Sequence, residues 1–511
     1  MFGGGLLLGA VSGRLSNPLL IFALIQTGIA VTAFCVPLFI EIKPVQGSIP
    51  YYAFLMQTIF FLVLLCASLL GMALPLAARI YQARQTQVGA TLGTVYAINT
   101  MGGVLGALGA GFVLIPVLGL HVSALLLPAL NGIIGGSLLV TLVRDRIRWG
   151  LAAAMALVLL LPVFLMPRGF FQERYGQLAP GSELIFYREG LAATATVFRS
   201  PQGEKRLYFN GMPQVGTDRA SMRTFKLMGA LPGLLHHEPR QALVITFGAG
   251  IASGTAAHFV EKIDCVELVK EVRLIADYFA DENNNVLKNE KLSLHINDAR
   301  HYLLTSDKTY SVIIADATHP RGYDSWVLFT EEFYTLVRER LERDGIFCQW
   351  VPFHGLEPNR YLAIIRTFYH VFPHTSVWVV DGTYSLLMGT SDPLQIDLQA
   401  MSLKFNVPPV RSDLSRAGLE DPYRMLSYFA LGETGVEKML QGFDTVITDD
   451  TSEHLFFPLS STADDQYRKW PERNYRQVQR YQEPIMPYLT NAGDTPNQKR
   501  ITWQRINRYK Y

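Results

Sequence analysis

The sequence predicts two parts: an α-helical transmembrane domain, then an α/β domain with a Rossmann-type parallel sheet that a small β-subdomain precedes. Three observations support this. At 511 residues, the chain is too long for one ordinary domain. Charged residues are sparse up to Pro167 and reach ordinary density after Arg168. In the second half, short apolar strands alternate with helical segments, which indicates a parallel sheet covered by helices.

The domain boundaries follow from these changes in composition. Charged residues make up 17% of the chain, whereas about a quarter is usual for a soluble protein. The deficit lies almost entirely in the first third. We therefore predict a transmembrane domain over 1–167, a small β-subdomain over 168–235, a Rossmann-type domain over 236–465 and a basic, aromatic tail over 466–511.

The first third contains about five segments that are long enough, or nearly so, to cross a bilayer. A spanning helix needs roughly 20 mainly apolar residues. The segments are 18–40, 52–78, 90–118, 120–143 and the shorter 150–166. A further apolar stretch, 2–11, is too short to span alone. It resembles the second half of a helix, which leaves two interpretations: a start internal to a longer protein, or a re-entrant piece.

Small residues spaced four apart mark the third segment and predict close packing of helices there. They are Gly102, Gly103, Gly106, Ala107 and Gly111. Because Asn99 and Thr100 lie near one end of this segment, a substrate path is the alternative interpretation. No segment carries a charged residue at its centre, which disfavours ion-coupled transport.

Net charge and cysteine content exclude several classes of partner. The formal net charge is +2, so the composition does not favour a nucleic-acid partner. The four cysteines form neither a CxxC pair nor a metal-ligand spacing, and we expect no disulfide and no metal. We expect them to be small apolar side chains: Cys35, Cys66, Cys265 and Cys348.

Short strands separated by turn residues precede the main sheet. Residues 193–198 and 206–209 alternate in the manner of strands, with a turn at 200–203 between them. Asn210-Gly211 supplies a second turn. These elements form the predicted β-subdomain.

A glycine-rich turn follows the first strand of the main sheet. The apolar strand 242–246 leads into Gly248, Gly250 and Gly254, and a helix continues over 255–260. Glycines at this point let a cofactor approach the backbone near the start of a helix. The alternative is an ordinary strand-to-helix turn.

Acidic residues end the next two strands. Glu267 follows the glycines by about 20 residues, where a carboxylate can accept from ribose hydroxyls. Asp298 follows the strand 292–296, where it could accept from an adenine amino group. Ligands of parallel sheets bind at the carboxyl ends of the strands, and this coincidence predicts a nucleoside site. As an alternative, each acid is only a cap.

The fourth strand, 310–315, ends at Asp316. A carboxylate at such an edge, beside a loop, suits a general base, and a turn cap is the alternative. His319 in that loop could titrate near neutrality or be simply solvated. A further strand, 345–350, contains Gln349. We predict Asp316 as the catalytic residue, with His319 and Gln349 as substrate contacts.

These residues resemble the spermidine synthase family, in its membrane-fused bacterial branch, from about residue 188 to 458. The motifs in the family's order are Arg188-Glu189-Gly190, 207–214, the glycine turn, Val266-Glu267-Leu268, Asp298-Ala299 and 316–334. Thr448-Asp449-Asp450 and Phe457-Pro458 resemble its C-terminal signature. In the apolar part the resemblance includes Pro75, Arg79, Tyr96, Asn99-Thr100, Pro116 and Gly119.

The resemblance implies an aminopropyltransferase: a β-subdomain, then a Rossmann domain similar to those of methyltransferases. Such enzymes move an aminopropyl group from decarboxylated S-adenosylmethionine to an amine, and methylthioadenosine leaves. The resemblance adds Gln214 and Ala299 to the nucleoside contacts. The predicted contacts are then Gln214, Gly248, Gly250, Glu267, Asp298 and Ala299, with Asp316 as base.

Three departures concern the amine side of this family's site. The glycine turn holds Ala249 where synthases carry an Asp, and His319 stands for the second acid of an Asp-x-x-Asp-Pro loop. A Tyr-(His or Gln)-Glu run is replaced by Thr224-Phe225-Lys226. Because a diamine is bound by carboxylates, nucleoside binding is better supported than polyamine binding.

Three functions therefore stay open. The first is a membrane-attached aminopropyltransferase. The second is another transferase that uses intact S-adenosylmethionine, whose carboxylate could pair with Lys226. The third is a sensor or transporter whose soluble domain only binds a nucleoside.

The location and partners follow from the same features. We expect a multi-pass protein of the inner membrane, with the lipid bilayer and a small amine as partners; a homo-oligomer stays open. The basic side chains between segments fit one membrane face, and an odd number of spans would place the soluble domain opposite it. Since S-adenosyl nucleosides are cytosolic, we expect a cytoplasmic domain. The tail carries ten basic against three acidic residues over 467–511, which suits contact with anionic lipid or, alternatively, a solvated tail.

Overall fold

The computed structural model describes residues 17–39, 49–83, 88–142, 146–316, 319–320, 322, 325–451 and 464–509. The predicted stretch 2–11 and the motif Phe457-Pro458 lie outside these residues. The chain divides into two compact units. The first is Met1–Thr196 with Phe209–Met212, and the second is Val197–Tyr208 with Pro213–Tyr511.

The first unit consists mainly of long apolar helices. They are α1 (Pro18–Phe39), α2 (Ile49–Gln82), α3 (Val88–Leu108), α4 (Ile115–Leu142), α5 (Arg146–Leu165) and the short α6 (Phe170–Gly176). A π-helical turn, Gly109–Leu114, joins α3 to α4. Among the described residues, four stretches could cross a membrane by length and composition: Pro18–Phe39, Ile59–Gln82, Val88–Leu142 and Ala152–Gly176.

The predicted third and fourth segments form one helical stretch of 55 residues. A straight helix of this length would measure about 80 Å, far more than the roughly 30 Å of a bilayer core. Gly119 breaks it, with φ 80 and ψ 166. Beyond the break, the backbone N–H of Leu120 donates to the Glu189 carboxylate, which also accepts from the Tyr187 hydroxyl. The break therefore lies where the sequence separated the two segments.

Close packing of helices occurs at other glycines than the sequence predicted. A Cβ added at Gly135 would lie 2.6 Å from Thr27 Oγ1, and one at Gly136 would lie 2.8 Å from Met155 Cε. At Gly102 and Gly106 an added Cβ would meet nothing within 4 Å. The prediction of close packing at 102–111 was wrong within the described part of the chain, because no helix there packs on that face.

A small sheet follows the helices. Its strands are β1 (Glu183–Glu189), β2 (Thr194–Arg199), β3 (Lys205–Phe209) and β4 (Met212–Gly216), in the order β1-β2-β3-β4. Asn210 and Gly211 have φ values of 49 and 80, as a two-residue hairpin turn of type I′ requires. The predicted turn is thus confirmed.

In the described part of the chain, the main sheet has eight strands in the order β13-β10-β11-β9-β8-β5-β6-β7. The strands are β5 (Gln241–Ile245), β6 (Lys262–Glu267), β7 (Leu292–Ile296), β8 (Tyr310–Ala315), β9 (Leu341–Pro352), β10 (His374–Val380), β11 (Tyr384–Thr390) and β13 (Phe429–Leu431). β12 (Ile396–Asp397) pairs with β14 (Leu489–Thr490) in a separate two-stranded sheet. The helices are α7 (Arg219–Leu235), α8 (Ile251–Ala256), α9 (Val272–Ile275), α10 (Ala299–Thr305), α11 (Glu331–Glu339), α12 (Pro358–Val371), α13 (Leu398–Phe405), α14 (Pro408–Ser415), α15 (Pro422–Leu426), α16 (Glu433–Met439), α17 (Asp464–Arg480) and α18 (Pro496–Asn507).

The main sheet is mixed, which corrects the prediction of a parallel one. β5 to β9 pair in parallel, whereas β11 runs antiparallel to both β9 and β10. The physical reason is a tight connection between β10 and β11, where Asp381 and Gly382 take φ values of 51 and 66. So short a connection can join only antiparallel neighbours. The parallel half still contains every acidic strand end that the sequence identified.

The tail is folded, in contrast to the alternative prediction of a solvated tail. Trp470 and Val478 of α17 and Ile506 of α18 are 6%, 0% and 2% exposed. The basic side chains of α17, among them Arg473 and Arg476, are exposed on its polar face. The tail is thus largely an extension of the second unit.

Candidate functional site

The strand order reverses at β5, which lies between β6 and β8 while the chain goes on to β7 and β9 on opposite sides. Ligands of such sheets bind at this reversal, beyond the carboxyl ends of the strands. In the register, Ile245 of β5 pairs with Val266 of β6 and with Ala315 of β8. The residues that follow, Thr246, Glu267 and Asp316, therefore lie side by side at one edge.

Thr246 adopts a backbone conformation that its side chain disfavours. Its φ is 68, which is an outlier for a β-branched residue. Its hydroxyl donates to the backbone carbonyl of Asp316, and its N–H donates to the carbonyl of Val266 over 2.9 Å. Strain of this kind persists where the surrounding structure fixes it, and it concentrates at functional sites.

The glycine turn requires glycine at two of the predicted positions. Gly248 and Gly250 have φ values of 54 and 80, and a Cβ at Gly250 would lie 2.5 Å from Phe247 Cζ. A Cβ at Gly248 would lie 3.1 Å from Val215 Cγ2 of β4. The turn thus packs beside β4, on which the predicted contact Gln214 lies, partly buried. Ala249 is 1% exposed, so its methyl group packs inside the turn.

Glu267 is 4% exposed and clamps the glycine turn. Oε2 accepts from the N–H groups of Phe247 and Gly248 over 2.8 and 3.2 Å, and Oε1 accepts from Val269 over 2.9 Å. Burial raises the pKa of Glu267, and the backbone hydrogen bonds oppose this. A carboxylate has about four acceptor sites. Backbone N–H groups take up most of these sites, so the carboxylate mainly fixes the glycine turn.

Asp298 is the N-cap of α10, as its alternative interpretation proposed. Its Oδ1 accepts from the N–H of His301 over 2.9 Å, and Ala299 is the first residue of the helix. The side chain is exposed, and its Oδ2 has no hydrogen-bond partner among the described residues. One oxygen therefore holds the helix, and the other faces outward beside the end of β7.

Asp316 differs from both of these acids. Its side chain is half-buried and accepts no hydrogen bond from the described part of the chain. Burial, and then the neighbouring charge of Glu267, raise the pKa of Asp316 to about 8. Its backbone is fixed, because its N–H donates to the carbonyl of Ile245 over 3.0 Å. The arrangement is a carboxyl group on a fixed backbone position, with its pKa raised towards neutral pH by burial.

The structure separates the two predicted substrate contacts. His319 is partly exposed, and its Nε2 lies 2.9 Å from the carbonyl of His354. Since a carbonyl only accepts, Nε2 donates. Gln349 is fully buried on β9, and its Nε2 donates to the carbonyl of Leu328 over 2.9 Å. The geometry keeps His319 at the edge of the sheet and makes Gln349 part of the core.

Three aromatic side chains near His319 escaped the sequence reasoning. The ring centroids of His319 and His354 are 5.4 Å apart, and those of His354 and Tyr384 are 5.7 Å apart. Trp350 lies 5.5 Å from Tyr384. Because Ala315 pairs with Gln349 in the parallel register, Asp316 and Trp350 are the next neighbours across β8 and β9. We call these four rings the aromatic cluster.

Lys226 does not face a ligand, which corrects the idea that it pairs with a substrate carboxylate. It is fully buried, and its Nζ lies 2.6 Å from Asp413 Oδ1 and 2.6 Å from the carbonyl of Glu282. Asp413 also accepts from Thr255 Oγ1 over 2.9 Å and from Arg416 over 2.7 Å. Burial lowers the pKa of Lys226. The ammonium group therefore belongs to a structural network.

The cysteines in the main sheet are buried, as predicted. Cys265 of β6 and Cys348 of β9 are both 0% exposed. Burial raises the pKa of both thiols, so neither is a nucleophile near neutral pH. Among the described residues, no three His, Cys, Asp or Glu side chains converge as metal ligands would.

Comparison with known proteins shows which of them this chain is similar to. Residues 223–388 match the spermine/spermidine synthase domain. Polyamine aminopropyltransferase 2 of Streptomyces coelicolor is 26% identical over 291 residues, which cover 54% of this chain and 52% of that protein. The polyamine aminopropyltransferase of Lachnospira eligens is 27% identical over 188 residues, which cover 36% and 65%. That of Methanocaldococcus jannaschii is 33% identical over 135 residues, which cover 26% and 46%.

The chain thus spans about half to two thirds of the curated relatives it matches. Among solved structures, a spermidine synthase in complex with the transition-state analogue AdoDATO covers 50% of this chain and 87% of its own, at 21% identity and a TM-score of 0.41. The spermidine synthase of Thermotoga maritima has 20% identity, a TM-score of 0.40 and coverage of 50% and 86%.

Proposed function

We propose that this chain, whose α/β part is spermidine synthase-like, transfers an aminopropyl group from decarboxylated S-adenosylmethionine to an amine, with Asp316 as general base. The observation that carries the proposal is the state of Asp316. It is a half-buried carboxyl group at the reversal of strand order, on a backbone that Ile245 and Thr246 hold, with its pKa raised to about 8. A base for an amine needs this position and a proton affinity near the operating pH.

The nucleoside would occupy the edge formed by β5, β6 and β7. The positive φ values of Gly248 and Gly250 give the ligand access to the backbone, and Gln214 lies on the neighbouring β4. Glu267, which already holds the glycine turn, would accept from a ribose hydroxyl. Oδ2 of Asp298, the residue before Ala299, would accept from the adenine amino group. In this assignment Glu267 and Asp298 each accept hydrogen bonds from the backbone and from the ligand.

The transfer itself is a displacement at carbon. The nitrogen of the acceptor forms a bond to the aminopropyl carbon, and the bond from that carbon to sulfur breaks. Both electrons of the broken bond go to sulfur, which leaves as the neutral thioether of methylthioadenosine. The proton lost by the amine goes to the carboxylate of Asp316. Since the donor carries a positive sulfonium, its binding stabilises ionised Asp316 and lowers its pKa from that of the free protein.

We further propose that the first unit holds the chain in a bilayer, with the second unit in the cytoplasm. Phe61, Phe112 and Phe164 of the long helices are 65%, 63% and 79% exposed. Apolar surface on this scale is stable only in apolar surroundings. A reporter fused after Tyr511, compared with one inserted at position 145, between the predicted segments 120–143 and 150–166, would test the orientation.

A second transferase is favoured by one observation. The buried methyl group of Ala249 offers no carboxylate to the donor, so nothing at this turn position repels the carboxylate of intact S-adenosylmethionine. This candidate keeps the nucleoside site and Asp316 but changes the group that is transferred.

One experiment distinguishes the two candidates. The full chain in detergent is titrated by calorimetry with decarboxylated and with intact S-adenosylmethionine. It is then incubated with each donor and a set of amines, and products are identified by mass spectrometry. We expect tighter binding of the decarboxylated donor and a product heavier by one aminopropyl group. Preference for the intact donor, with transfer of another group, would establish the second candidate instead.

A further inference from the structure

We propose that Asn474, in helix α17 of the tail, is a positioning residue for the acceptor side of the site. This inference rests on the proposed function, because it assigns the aromatic cluster beside Asp316 to the acceptor. Asn474 acts on the loop 353–356, and this loop in turn holds His319. Helix α17 would then contribute to acceptor binding through this loop.

The contact between α17 and this loop is built from two hydrogen bonds. Asn474 is 0% exposed, and its Nδ2 donates to the carbonyl of Phe353 over 2.9 Å and to that of Leu356 over 2.9 Å. The two acceptors bracket His354 and Gly355. One buried amide group thus fixes both ends of a two-residue turn, and no other residue type of this size offers two N–H donors from one atom.

The loop in turn fixes the position of the His319 imidazole. The carbonyl of His354 accepts the hydrogen bond of His319 Nε2 over 2.9 Å. Gly355 has a φ of 70, and a Cβ there would lie 2.5 Å from the same Nε2. The turn therefore touches the imidazole directly, and a shift of the turn moves the ring. His319 is three residues from Asp316, on the same segment of chain.

The turn also places the rest of the aromatic cluster. The ring of His354 packs against Trp350 at 6.2 Å and against Tyr384 at 5.7 Å. Trp350 is the neighbour of Asp316 across β8 and β9. An acceptor whose nitrogen reaches Asp316 would lie along these rings, since the nucleoside contacts occupy the strand ends on the other side of β8.

Helix α17 is itself held by buried side chains, so it can hold the loop 353–356 in place. Val478 is 0% exposed and belongs to the main apolar core, and Trp470 is 6% exposed. The ring of Tyr475 lies 6.1 Å from that of Phe353 in the loop. The buried side chains of Trp470 and Val478, on either side of Asn474, hold this part of the helix in addition to its contact with the loop.

The test uses Asn474→Ala and Asn474→Leu in the full chain. Ala removes the two donors, and Leu does so at nearly constant volume. We expect the KM for the amine to rise about tenfold, as the loss of two buried hydrogen bonds would cause. The kcat should change by less than about threefold, and the Kd of the nucleoside by less than twofold, since neither depends on the loop. Asn507→Ala is the matched control, because within the described residues the amide of Asn507 donates to the carbonyl of Trp503 in its own helix, at an exposed position; it should match the unaltered chain.

Hydrogen exchange provides a readout that needs no activity. In Asn474→Ala, the amides of 325–329 and 353–357 should exchange faster, while those of 247–254 keep their protection. Unchanged exchange at 353–357, or an unchanged KM, would overturn the inference. Equal loss of protection in both regions would also overturn it, since Asn474 would then stabilise the whole unit. If the unaltered chain transfers nothing to any amine, the proposed function fails, and the exchange data still show whether Asn474 fixes the loop.

Discussion

The hydroxyl of Thr246 donates to the backbone carbonyl of Asp316, and this bond joins the ends of β5 and β8 at the centre of the proposed site. Thr246 makes the bond from a left-handed backbone conformation, with φ at 68. The proposed base is thus held by a strained neighbour. The strain, of order 1–3 kcal/mol, is a stability cost that the rest of the fold carries.

Thr246→Val should slow transfer by about tenfold while leaving nucleoside affinity within twofold. Valine keeps the shape and the strain of Thr246 but cannot donate to Asp316, so the carboxyl group is less well placed for the acceptor proton. Steady-state kinetics with calorimetry checks this. Thr246→Ser keeps the hydroxyl and should retain most of the rate. Equal rates for the two variants would show that the hydrogen bond does not matter.

Asp316→Asn should abolish most of the transfer and also stabilise the fold at neutral and higher pH. The rate should fall by roughly 10²–10⁴-fold, as for other general bases. Folding raises the pKa of Asp316 from 3.8 to about 8, so the folded state binds more protons than the unfolded state between these values. The wild-type chain therefore loses stability as pH rises from about 4 to 8. The melting temperatures of the two proteins, measured without ligand, should coincide near pH 4 and diverge up to pH 8. A constant difference at all pH values would contradict this.

The pH dependence of transfer should report the same group. In the free enzyme Asp316 must be ionised to accept a proton, so kcat/KM should rise with pH and level off above about 8. The profile of kcat should have its midpoint at lower pH, because the bound sulfonium favours the ionised carboxyl group. Rate profiles at saturating and at low donor concentration check both statements. A midpoint near 4 in both profiles would show that another group is the base.

The local parts of the site could be predicted from the sequence. The strand bounds of β7 and β8 match the predicted 292–296 and 310–315, since an acid follows each strand directly or after one residue. The glycine turn has the positive φ values that its residues suggested. In such elements the residues that determine the structure are neighbours in the chain, and their pattern is directly visible.

The remaining features depend on contacts between distant residues. Nothing near Lys226 shows that its partner is Asp413, 187 positions later, or that Asn474 holds a turn about 120 positions earlier. The antiparallel β10 and β11 were missed because the Asp381-Gly382 turn was not recognised as a hairpin. Likewise, Gln349 lies in a strand whose register, and not its sequence, places the side chain in the core.

The network of Lys226 and Asp413 should stabilise the second unit without affecting the choice of donor. Lys226→Met leaves a buried carboxylate without its ammonium partner, although Arg416, Thr255 and His258 still contact it, and should lower the free energy of unfolding by about 2–4 kcal/mol. Combining it with Asp413→Leu should restore much of this loss, because the double variant contains no unpaired buried charge. Lys308→Met is the control for an exposed lysine, 53% accessible in its pair with Asp264, and should cost at most about 1 kcal/mol. Denaturant unfolding measures all three. If Lys226→Met left stability intact and instead reversed the preference between decarboxylated and intact S-adenosylmethionine, Lys226 would be a ligand contact after all.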